Sequence, residues 1–414
     1  MKRRFGMLKK AVAVGCAMAM LGSVGVWADE PQSKLHTGNT ISADTEKINL
    51  IKDYIRGEGT QTDSESPAEN FEFTITPYHV WNTGTVNGTQ SGQAYTKENM
   101  PMGFKVGGTE LSIDASTRSV TFNIVTSQGD AGENKKSTEL ELPSYSSVGD
   151  FWYKIVEKKG TTTGVTYGTN SNKQEGQTEY SRTYYMHVQV VNGTGETTYY
   201  RSVTLHKDYP ADNLTNTTYN SNYTYNENNK VDNIQNEYSA GTLKLKKIVE
   251  GNAGDKNKRF EFKVTFTRPN NEKINSNIYY KAATVANADT TTEVTIKGES
   301  QEGTTWDNGT VTETVYIKHD ETVEFKNIPY GVTYTVVETA VEGYTTTENY
   351  VDSVEGKVTK KIDSKEENAT FTNTKNTTID IGVLIKNAPY IAMIVVVCAA
   401  GVVFVLRRRN AVED

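Results

Sequence analysis

Apolar residues at every second position are the dominant pattern of this chain between its two ends. Examples are Phe71-Glu-Phe-Thr-Ile75, Val120-Thr-Phe-Asn-Ile124 and Tyr334-Thr-Val-Val-Glu338. This period of two is typical of β-strands with one buried face, because successive side chains of a strand point to opposite sides. Short alternating segments joined by Gly- and Asn-rich turns predict an all-β fold of β-sandwiches. The best candidate for a short helix lies around Thr45 to Tyr54.

The region between the two ends is too long for one small sandwich and suits two Ig-like β-sandwich domains in tandem. We place the boundary near Ser239-Ala-Gly241, because Thr242 opens a new strand there. The predicted segments are a signal peptide (1–28), a flexible leader (29–44), two sandwiches (45–240 and 241–376), a spacer (377–387), a transmembrane helix (388–406) and a cytoplasmic tail (407–414).

The first 28 residues have the layout of a secretory signal. Basic residues at the start precede an apolar run from Ala11 to Val26, and Ala28 provides a small residue for signal peptidase. The alternative is an uncleaved N-terminal anchor, although the apolar run is short for a membrane span.

The segment from Ala388 to Leu406 is apolar throughout and nearly long enough to cross a bilayer core as a helix. Three arginines, Arg407 to Arg409, follow it at once, and positive charge beside a span stays on the cytoplasmic side. The predicted location is therefore the cell membrane, as a single-pass protein with an extracellular N-terminal region. The cell wall and a pilus are alternative locations.

Composition excludes several classes of function. The two cysteines, Cys16 and Cys398, lie in the predicted signal and span, so the region between them has no disulfide. Removing residues 1–28 leaves 39 Lys and Arg against 51 Asp and Glu, a formal net charge of −12, which argues against nucleic acid as a partner. The five histidines lack metal-ligand spacing, and no phosphate or dinucleotide motif occurs. We predict no metal, no cofactor and no enzymatic activity on other molecules.

Three polar residues stand on otherwise apolar strand faces in the second predicted sandwich. They are Lys247 near its start, Glu338 in its later half and Asn373 at its end. Their neighbours on the same faces are Leu243, Leu245, Val249, Tyr334, Val336, Ala369 and Phe371.

The first predicted sandwich carries the same residue types in the same order. Lys52, Glu157 and Asn236 each lie on an apolar strand face. Lys47 is an alternative to Lys52, but it lies on the opposite face of its strand from Ile48. A repeated order of this kind is harder to attribute to chance than a single one.

Residue types alone allow two interpretations of these sets. The simpler one is a buried Lys–Glu ion pair with a hydrogen-bonded Asn, or an error in the strand phase. The other is amide formation between the Lys amine and the Asn carboxamide. A buried Lys has a lowered pKa and can be neutral and nucleophilic, while a buried protonated Glu can transfer protons as ammonia leaves.

Motifs around the second set resemble those of a known family. Leu243-Lys-Leu-Lys-Lys-Ile-Val-Glu-Gly251, Ile328-Pro-Tyr-Gly-Val-Thr-Tyr-Thr-Val-Val-Glu-Thr339 and Phe371-Thr-Asn373 are similar to the isopeptide domains of Gram-positive pilins and collagen-adhesin B-type repeats. The resemblance implies an intramolecular isopeptide bond with Lys247 as the amine, Asn373 as the acceptor and Glu338 as the catalytic acid.

The first predicted sandwich resembles the pilin domain of streptococcal major pilins. Phe71-Glu-Phe-Thr-Ile75, Gly149-Asp-Phe-Trp-Tyr-Lys-Ile-Val-Glu157 and Ile234-Gln-Asn-Glu-Tyr238 carry this match. It implies a second isopeptide bond between Lys52 and Asn236, with Glu157 as the proton shuttle.

The resemblance predicts a cell-surface structural protein, a stalk or pilin-like subunit, with other pilin subunits as partners. The alternative is an adhesin that binds a host protein or glycan through its first domain. Sortase attachment is in doubt, because Thr378-Ile-Asp-Ile-Gly382 replaces the expected Leu-Pro-x-Thr-Gly motif.

Overall fold

The computed structural model describes residues 47–57, 59–60, 63–81, 85–86, 89–90, 95–130, 134–145, 149–168, 181–192, 199–207, 231, 233–349, 356–377, 389–390 and 392–403. The predicted signal peptide (1–28), the leader (29–44), the cytoplasmic tail (407–414) and the Thr378–Gly382 motif lie outside these ranges.

Fifteen strands lie between residues 47 and 238 of the described chain. They are β1 (Lys47–Arg56), β2 (Glu65–Ser66), β3 (Glu69–Trp81), β4 (Thr85–Val86), β5 (Thr89–Gln90), β6 (Lys105–Val106), β7 (Thr109–Glu110), β8 (Val120–Thr126), β9 (Gly129–Asp130), β10 (Lys135–Glu141), β11 (Gly149–Glu157), β12 (Val165–Tyr167), β13 (Thr183–Asn192), β14 (Tyr199–His206) and β15 (Ile234–Tyr238).

These strands form two main sheets that enclose an apolar core. The six-stranded sheet has the order β12-β15-β1-β10-β6-β7, and the five-stranded sheet has the order β14-β13-β11-β3-β8. Alternate residues of β8 are buried along its whole length, as expected for a strand with one face on a core. Phe73 and Ile155 are among the fully buried side chains between the sheets.

Ten further strands follow in the second half of the described chain. They are β16 (Ala240–Glu250), β17 (Phe260–Thr267), β18 (Ile278–Ala282), β19 (Thr292–Ile296), β20 (Thr310–Ile317), β21 (Thr322–Pro329), β22 (Thr333–Glu338), β23 (Thr345–Glu348), β24 (Lys357–Lys361) and β25 (Glu366–Thr374). A six-stranded sheet, β19-β18-β21-β16-β25-β23, faces a four-stranded sheet, β20-β17-β22-β24, across a second apolar core.

Each half places its first long strand beside its last in parallel. In the first half, β1 pairs with β15 in parallel and with β10 in antiparallel orientation. In the second half, β16 pairs with β25 in parallel and with β21 in antiparallel orientation. The two ends of each half therefore lie side by side in the middle of a sheet.

The two sandwiches contact each other through hydrogen bonds. The Glu65 carboxylate accepts from the Tyr279 hydroxyl at 2.6 Å and from the Gln128 amide. Main-chain bonds join Thr163 N–H to the Lys273 carbonyl at 2.9 Å and Lys273 N–H to a carbonyl of the first sandwich at 2.8 Å. These contacts join the first sandwich to the second.

The all-β prediction is confirmed, and so is the alternation on which it rests. The helix candidate around Thr45 to Tyr54 is wrong, because the described part of this segment lies in β1. Strands β10 and β15 form main-chain hydrogen bonds with β1 on its two edges. The side chains of Leu50, Lys52 and Tyr54 are buried in the core. Pairing on two sides thus overrides local helical periodicity.

The predicted transmembrane helix 388–406 is described only in part. Residues 392–403 are helical. Within the described parts of the chain, none of the helices has both the length and the apolar character needed to cross a membrane.

Candidate functional site

The second site consists of Lys247, Glu338 and Asn373, which meet in the core of the second sandwich. Lys247 lies on β16 and Asn373 on the adjacent β25, while Glu338 ends β22 of the facing sheet. The Lys247 ammonium lies 3.0 Å from Glu338 Oε2, and Asn373 Nδ2 donates to Glu338 Oε1 at 2.5 Å. The carboxylate therefore bridges the amine and the carboxamide.

Strand register explains how two residues of the second site meet. Lys247 lies opposite Phe371 in the parallel β16–β25 pair. Asn373 is two residues further along β25, so it points to the same face of the sheet as Lys247. This offset brings the Asn side chain beside the amine of the extended Lys side chain.

Lys52, Glu157 and Asn236, called the first site, have the same arrangement in the first sandwich. The Lys52 ammonium lies 2.9 Å from Glu157 Oε2, and Asn236 Nδ2 donates to Glu157 Oε1 at 2.7 Å. Lys52 lies opposite Ile234 in the parallel β1–β15 pair, so Asn236 is again two residues further on. Glu157 ends β11 of the facing sheet.

Lys47 is not part of the first site. Its side chain is 42% exposed, and its ammonium lies 2.7 Å from the Glu139 carboxylate at the surface. The structure therefore brings Lys52, and not Lys47, to Glu157.

Both sites are closed to solvent. The Lys52, Glu157 and Asn236 residues have 0% exposure, and so do Lys247 and Asn373. Each lysine ammonium lies 4.6 Å from the centre of an aromatic ring, Phe71 in the first site and Phe260 in the second. A charged amine in such surroundings is costly, because it has lost its water.

Burial changes the proton affinity of these groups. It lowers the pKa of both Lys52 and Lys247 to about 8, although each carboxylate partner opposes the shift. Burial also raises the pKa of Glu338 above its usual value. The neutral amine is the nucleophilic form, so these surroundings make it accessible near neutral pH.

The carboxyl group in each site contacts both nitrogens that amide formation would involve. In the first site, Glu157 Oε2 contacts the lysine amine and Oε1 contacts the carboxamide nitrogen. Glu338 makes the matching pair of contacts in the second site. One carboxyl group can thus take a proton from the attacking nitrogen and give one to the leaving nitrogen.

The carboxamide oxygens of the two sites have different surroundings. Asn236 Oδ1 accepts from the main-chain N–H of Gly168 at 2.8 Å. Asn373 Oδ1 is buried and has no hydrogen-bond donor among the residues that the structure describes. Sequence reasoning missed Gly168. The available signal was a glycine directly after the alternating segment of β12, where it indicates an unusual backbone conformation at the end of the strand.

A second carboxylate near the first site was also missed. Glu69 accepts from the Tyr54 hydroxyl at 2.7 Å and from the Tyr167 hydroxyl. Burial raises the pKa of Glu69, and its charge raises the pKa of Lys52 slightly. Tyr54 shares a strand face with Lys52, and this pattern was the available signal.

A buried polar cluster lies on the other face of the five-stranded sheet. Trp152 stacks on the His187 ring at 4.3 Å between centroids, and His187 Nε2 lies 2.9 Å from Asp150 Oδ1. His206 lies 5.3 Å from the same Trp152 ring. The spacing of these histidines along the chain gave no sign of this meeting, because three different strands bring the residues together.

Comparison with known proteins gives a partial family match. Residues 241–375 match a family model described as a domain of unknown function (DUF7601). This range begins inside β16, ends directly after β25 and contains the whole second site. It covers less than half of the chain.

The chain is also similar to a curated pilin from Streptococcus pyogenes serotype M1, with 30% identity over 200 residues. The match covers 45% of this chain and 54% of that protein, so the chain spans about half the length of its curated relative. The resemblance to Gram-positive pilins predicted from the sequence is therefore confirmed. The relative's name also agrees with the expectation that the chain is not an enzyme.

Solved structures give more distant similarities. A crystal structure of the major pilin from Streptococcus pyogenes covers 80% of this chain and 99% of that chain, with 19% identity and a TM-score of 0.43. The pilus-presented adhesin Spy0125 (Cpa) covers 74% of this chain and 80% of that chain, with 14% identity and a TM-score of 0.28.

Proposed function

We propose that this chain is a pilus-related surface structural protein, a stalk or pilin-like subunit, in which each sandwich closes an intramolecular Lys–Asn isopeptide bond without an external enzyme. The observation that carries the proposal is the repeated Lys–Glu–Asn arrangement. Both sites are buried, both place Asn two residues beyond the register partner of Lys, and both bridge the pair with a Glu from the facing sheet. A buried ion pair alone does not explain why Asn recurs at this position.

The proposed reaction balances within each site. The neutral amine of Lys247 attacks Cγ of Asn373, and a Nζ–Cγ bond forms while the carbonyl electron pair moves to Oδ1. Glu338 accepts a proton from Nζ and delivers one to Nδ2. The electron pair on Oδ1 then re-forms the carbonyl, the Cγ–Nδ2 bond breaks, ammonia leaves and the amide remains. Lys52, Asn236 and Glu157 take the same roles in the first site.

The product removes two costs of the buried site. An amide is uncharged, so the buried ammonium no longer exists, and a buried Glu carboxyl without a cation beside it favours its protonated, uncharged form. The bond also joins the first long strand of each sandwich to its last, because β1 pairs with β15 and β16 pairs with β25. A force that pulls on the two ends of a sandwich then acts on a covalent link.

The proposed organisation of the whole chain follows the sequence. The chain would be exported by a signal over residues 1–28 and would carry sandwiches over 45–240 and 241–376. A membrane segment over 388–406 would hold it at the cell surface, with a short tail inside.

Intact mass of the purified region 29–387 tests the two bonds. We expect a deficit of two ammonia molecules from the mass of the linear sequence, and peptide mapping should yield the Lys52–Asn236 and Lys247–Asn373 cross-linked peptides. Glu338→Ala should restore the mass of one ammonia and leave only the first bond, and Glu157→Ala should do the reverse. Lys47→Ala is the matched control and should keep both bonds. A folded protein with the full linear mass would refute the proposal.

Other pilus subunits are the proposed partners, since the curated relative is a pilin. Immunoblots of cell-wall fractions distinguish assembly from simple surface display. A ladder of high-mass species that resists boiling in detergent supports a polymerised subunit. A single band in the membrane fraction favours the alternative role of a surface adhesin with a host protein or glycan as ligand.

A further inference from the structure

We infer that the main-chain N–H of Gly168 is a catalytic oxyanion donor for the isopeptide bond of the first sandwich. This inference rests on the proposed function, since it assigns a role in the same reaction. Gly168 N–H donates to Asn236 Oδ1 at 2.8 Å, and this oxygen receives the electron pair when the Lys52 amine attacks Cγ. Donors at about 2.7–3.1 Å from such an oxygen stabilise the developing charge.

The local backbone explains why the Gly168 N–H points at a side chain. Strand β12 lies at the edge of its sheet and pairs with β15, where Tyr167 is opposite Asn236. The next residue, Gly168, has a φ of 87°. Glycine adopts this left-handed conformation without a steric penalty. The antiparallel β12–β15 pairing gives way here to an isolated bridge between Gly168 and Asn236. The Gly168 N–H donates to the carboxamide oxygen of Asn236.

The position of the donor is fixed by its surroundings. Gly168 and Tyr167 are buried, and the Tyr167 hydroxyl donates to Glu69 of β3 in the facing sheet. A buried donor loses no strength to competing water, so it stabilises an oxyanion more than an exposed one does. It also needs no rearrangement when the charge develops.

The Asn236 carboxamide is therefore held at both ends. Its nitrogen donates to Glu157 Oε1 at 2.7 Å, and its oxygen accepts from Gly168. An N–H donor requires an oxygen acceptor, so the Gly168 contact itself fixes which end of the carboxamide faces Glu157. The leaving nitrogen faces the proton shuttle, and the oxygen faces the donor.

The experiment replaces the Gly168 N–H by an ester oxygen. Glycolic acid is incorporated at position 168 by cell-free translation, which removes the donor and keeps the side chain and the chain length. After a short synthesis pulse, samples are quenched in acidic denaturant, and ammonia loss at each site is followed by mass and peptide mapping. The matched control is the same ester at Gly107, an exposed glycine in the β6–β7 turn.

We expect the ester at 168 to slow closure of the first site about 100-fold or more, because loss of one oxyanion donor has effects of this size. The second site should close at the unmodified rate, which shows that the second sandwich folds and that the assay detects closure. Closure of the first site at the unmodified rate would refute the role of Gly168. Absence of ammonia loss in the unmodified protein would instead refute the proposed function.

A measurement without substitution covers the case in which the ester prevents folding of the first sandwich. The isopeptide product retains Asn236 Oδ1 as its carbonyl oxygen, so the hydrogen bond should persist. NMR of the unmodified protein should show a scalar coupling across the hydrogen bond between the Gly168 nitrogen and Asn236 Cγ, and slow exchange of the Gly168 amide proton. A fast-exchanging amide without this coupling would overturn the inference.

Discussion

The first and second sites use the same three residue types but differ around the carboxamide oxygen. In both, parallel pairing of the first and last long strands sets Asn two residues beyond the register partner of Lys. In the first site a Gly168 N–H contacts Asn236 Oδ1, whereas Asn373 Oδ1 has no donor within the described ranges. Register and burial therefore bring the Lys, Glu and Asn side chains together in both sites, while the surrounding loops and strand ends differ.

The largest predicted effect is the loss of either cross-link. Asn373→Ala should lower the free energy of unfolding of the second sandwich by about 5 kcal/mol, since a cross-link across a loop of this length restricts the unfolded chain by roughly that amount. Asn236→Ala should have an effect of similar size on the first sandwich. Guanidinium unfolding followed by circular dichroism measures both.

The control for this comparison is Asn368→Ala, an exposed position on β25, the strand that carries Asn373. It should keep the cross-link and change stability by well under 1 kcal/mol. An equal loss of stability in Asn368→Ala and Asn373→Ala would contradict the idea that the cross-link is the stabilising feature. A large difference in the loss of unfolding free energy between Asn373→Ala and Asn236→Ala would show that the two cross-links stabilise their sandwiches unequally.

The second prediction concerns the rates of the two sites. Lys247→Met leaves only the first site reactive, and Lys52→Met leaves only the second. The first site should close about 100-fold faster, because a preorganised donor stabilises its oxyanion. Quenched mass spectrometry of both variants after folding gives the two rates. A faster second site would reverse the comparison and point to a donor outside the described residues.

The buried Lys–Glu–Asn trio of the first site was predictable from the sequence. Lys52, Glu157 and Asn236 each follow from strand parity, because an apolar row with one polar member identifies a buried polar group. Parity also separates Lys52 from Lys47, and the surface ion pair of Lys47 agrees with that choice. The face on which a side chain lies can be counted along a single strand, so this prediction does not require the partner strand to be known.

The donor and the second carboxylate could not be predicted in the same way. Gly168 acts through its main-chain N–H, so its residue type carries no chemical signal beyond conformational freedom. Glu69, the first residue of β3, meets Tyr167 of β12 only because the two sheets pack against each other. Such contacts between distant parts of the chain are not encoded in local periodicity.

The third prediction compares the pH dependence of linked and unlinked second sites. In Asn373→Ala, Lys247 keeps its amine. Burial lowers the pKa of this amine from 10.5 to about 8 in the folded protein, and the variant should keep that burial. Between these values the unfolded chain binds more protons than the folded one, so stability should rise as pH increases from about 8 to 10.5. The gain should be on the order of 1–3 kcal/mol.

The linked protein should lack this rise, because its amide does not titrate. The double variant Lys247→Met/Asn373→Ala should lack it as well, and it controls for tyrosines that titrate in the same pH range. Chemical denaturation at several pH values between 7 and 11 measures the difference. If the free energy of unfolding changes with pH in the same way in the single and double variants, folding does not lower the pKa of Lys247.

The smallest predicted effect concerns the support of the Gly168 donor. Tyr167→Phe removes the hydroxyl that donates to Glu69 and loosens the end of β12, so the adjacent N–H should be less well positioned. Loss of this hydrogen bond should raise the activation free energy of closure by about 1 kcal/mol, so the first site should close several-fold more slowly. Tyr316→Phe is the matched control, since its hydroxyl donates to Glu261 at 3.0 Å in the second sandwich. The control should leave both rates unchanged.

If Tyr167→Phe lowers stability without changing the first-site rate, Tyr167 supports the fold but does not position Gly168. The difference between the two sites then depends on the glycine alone.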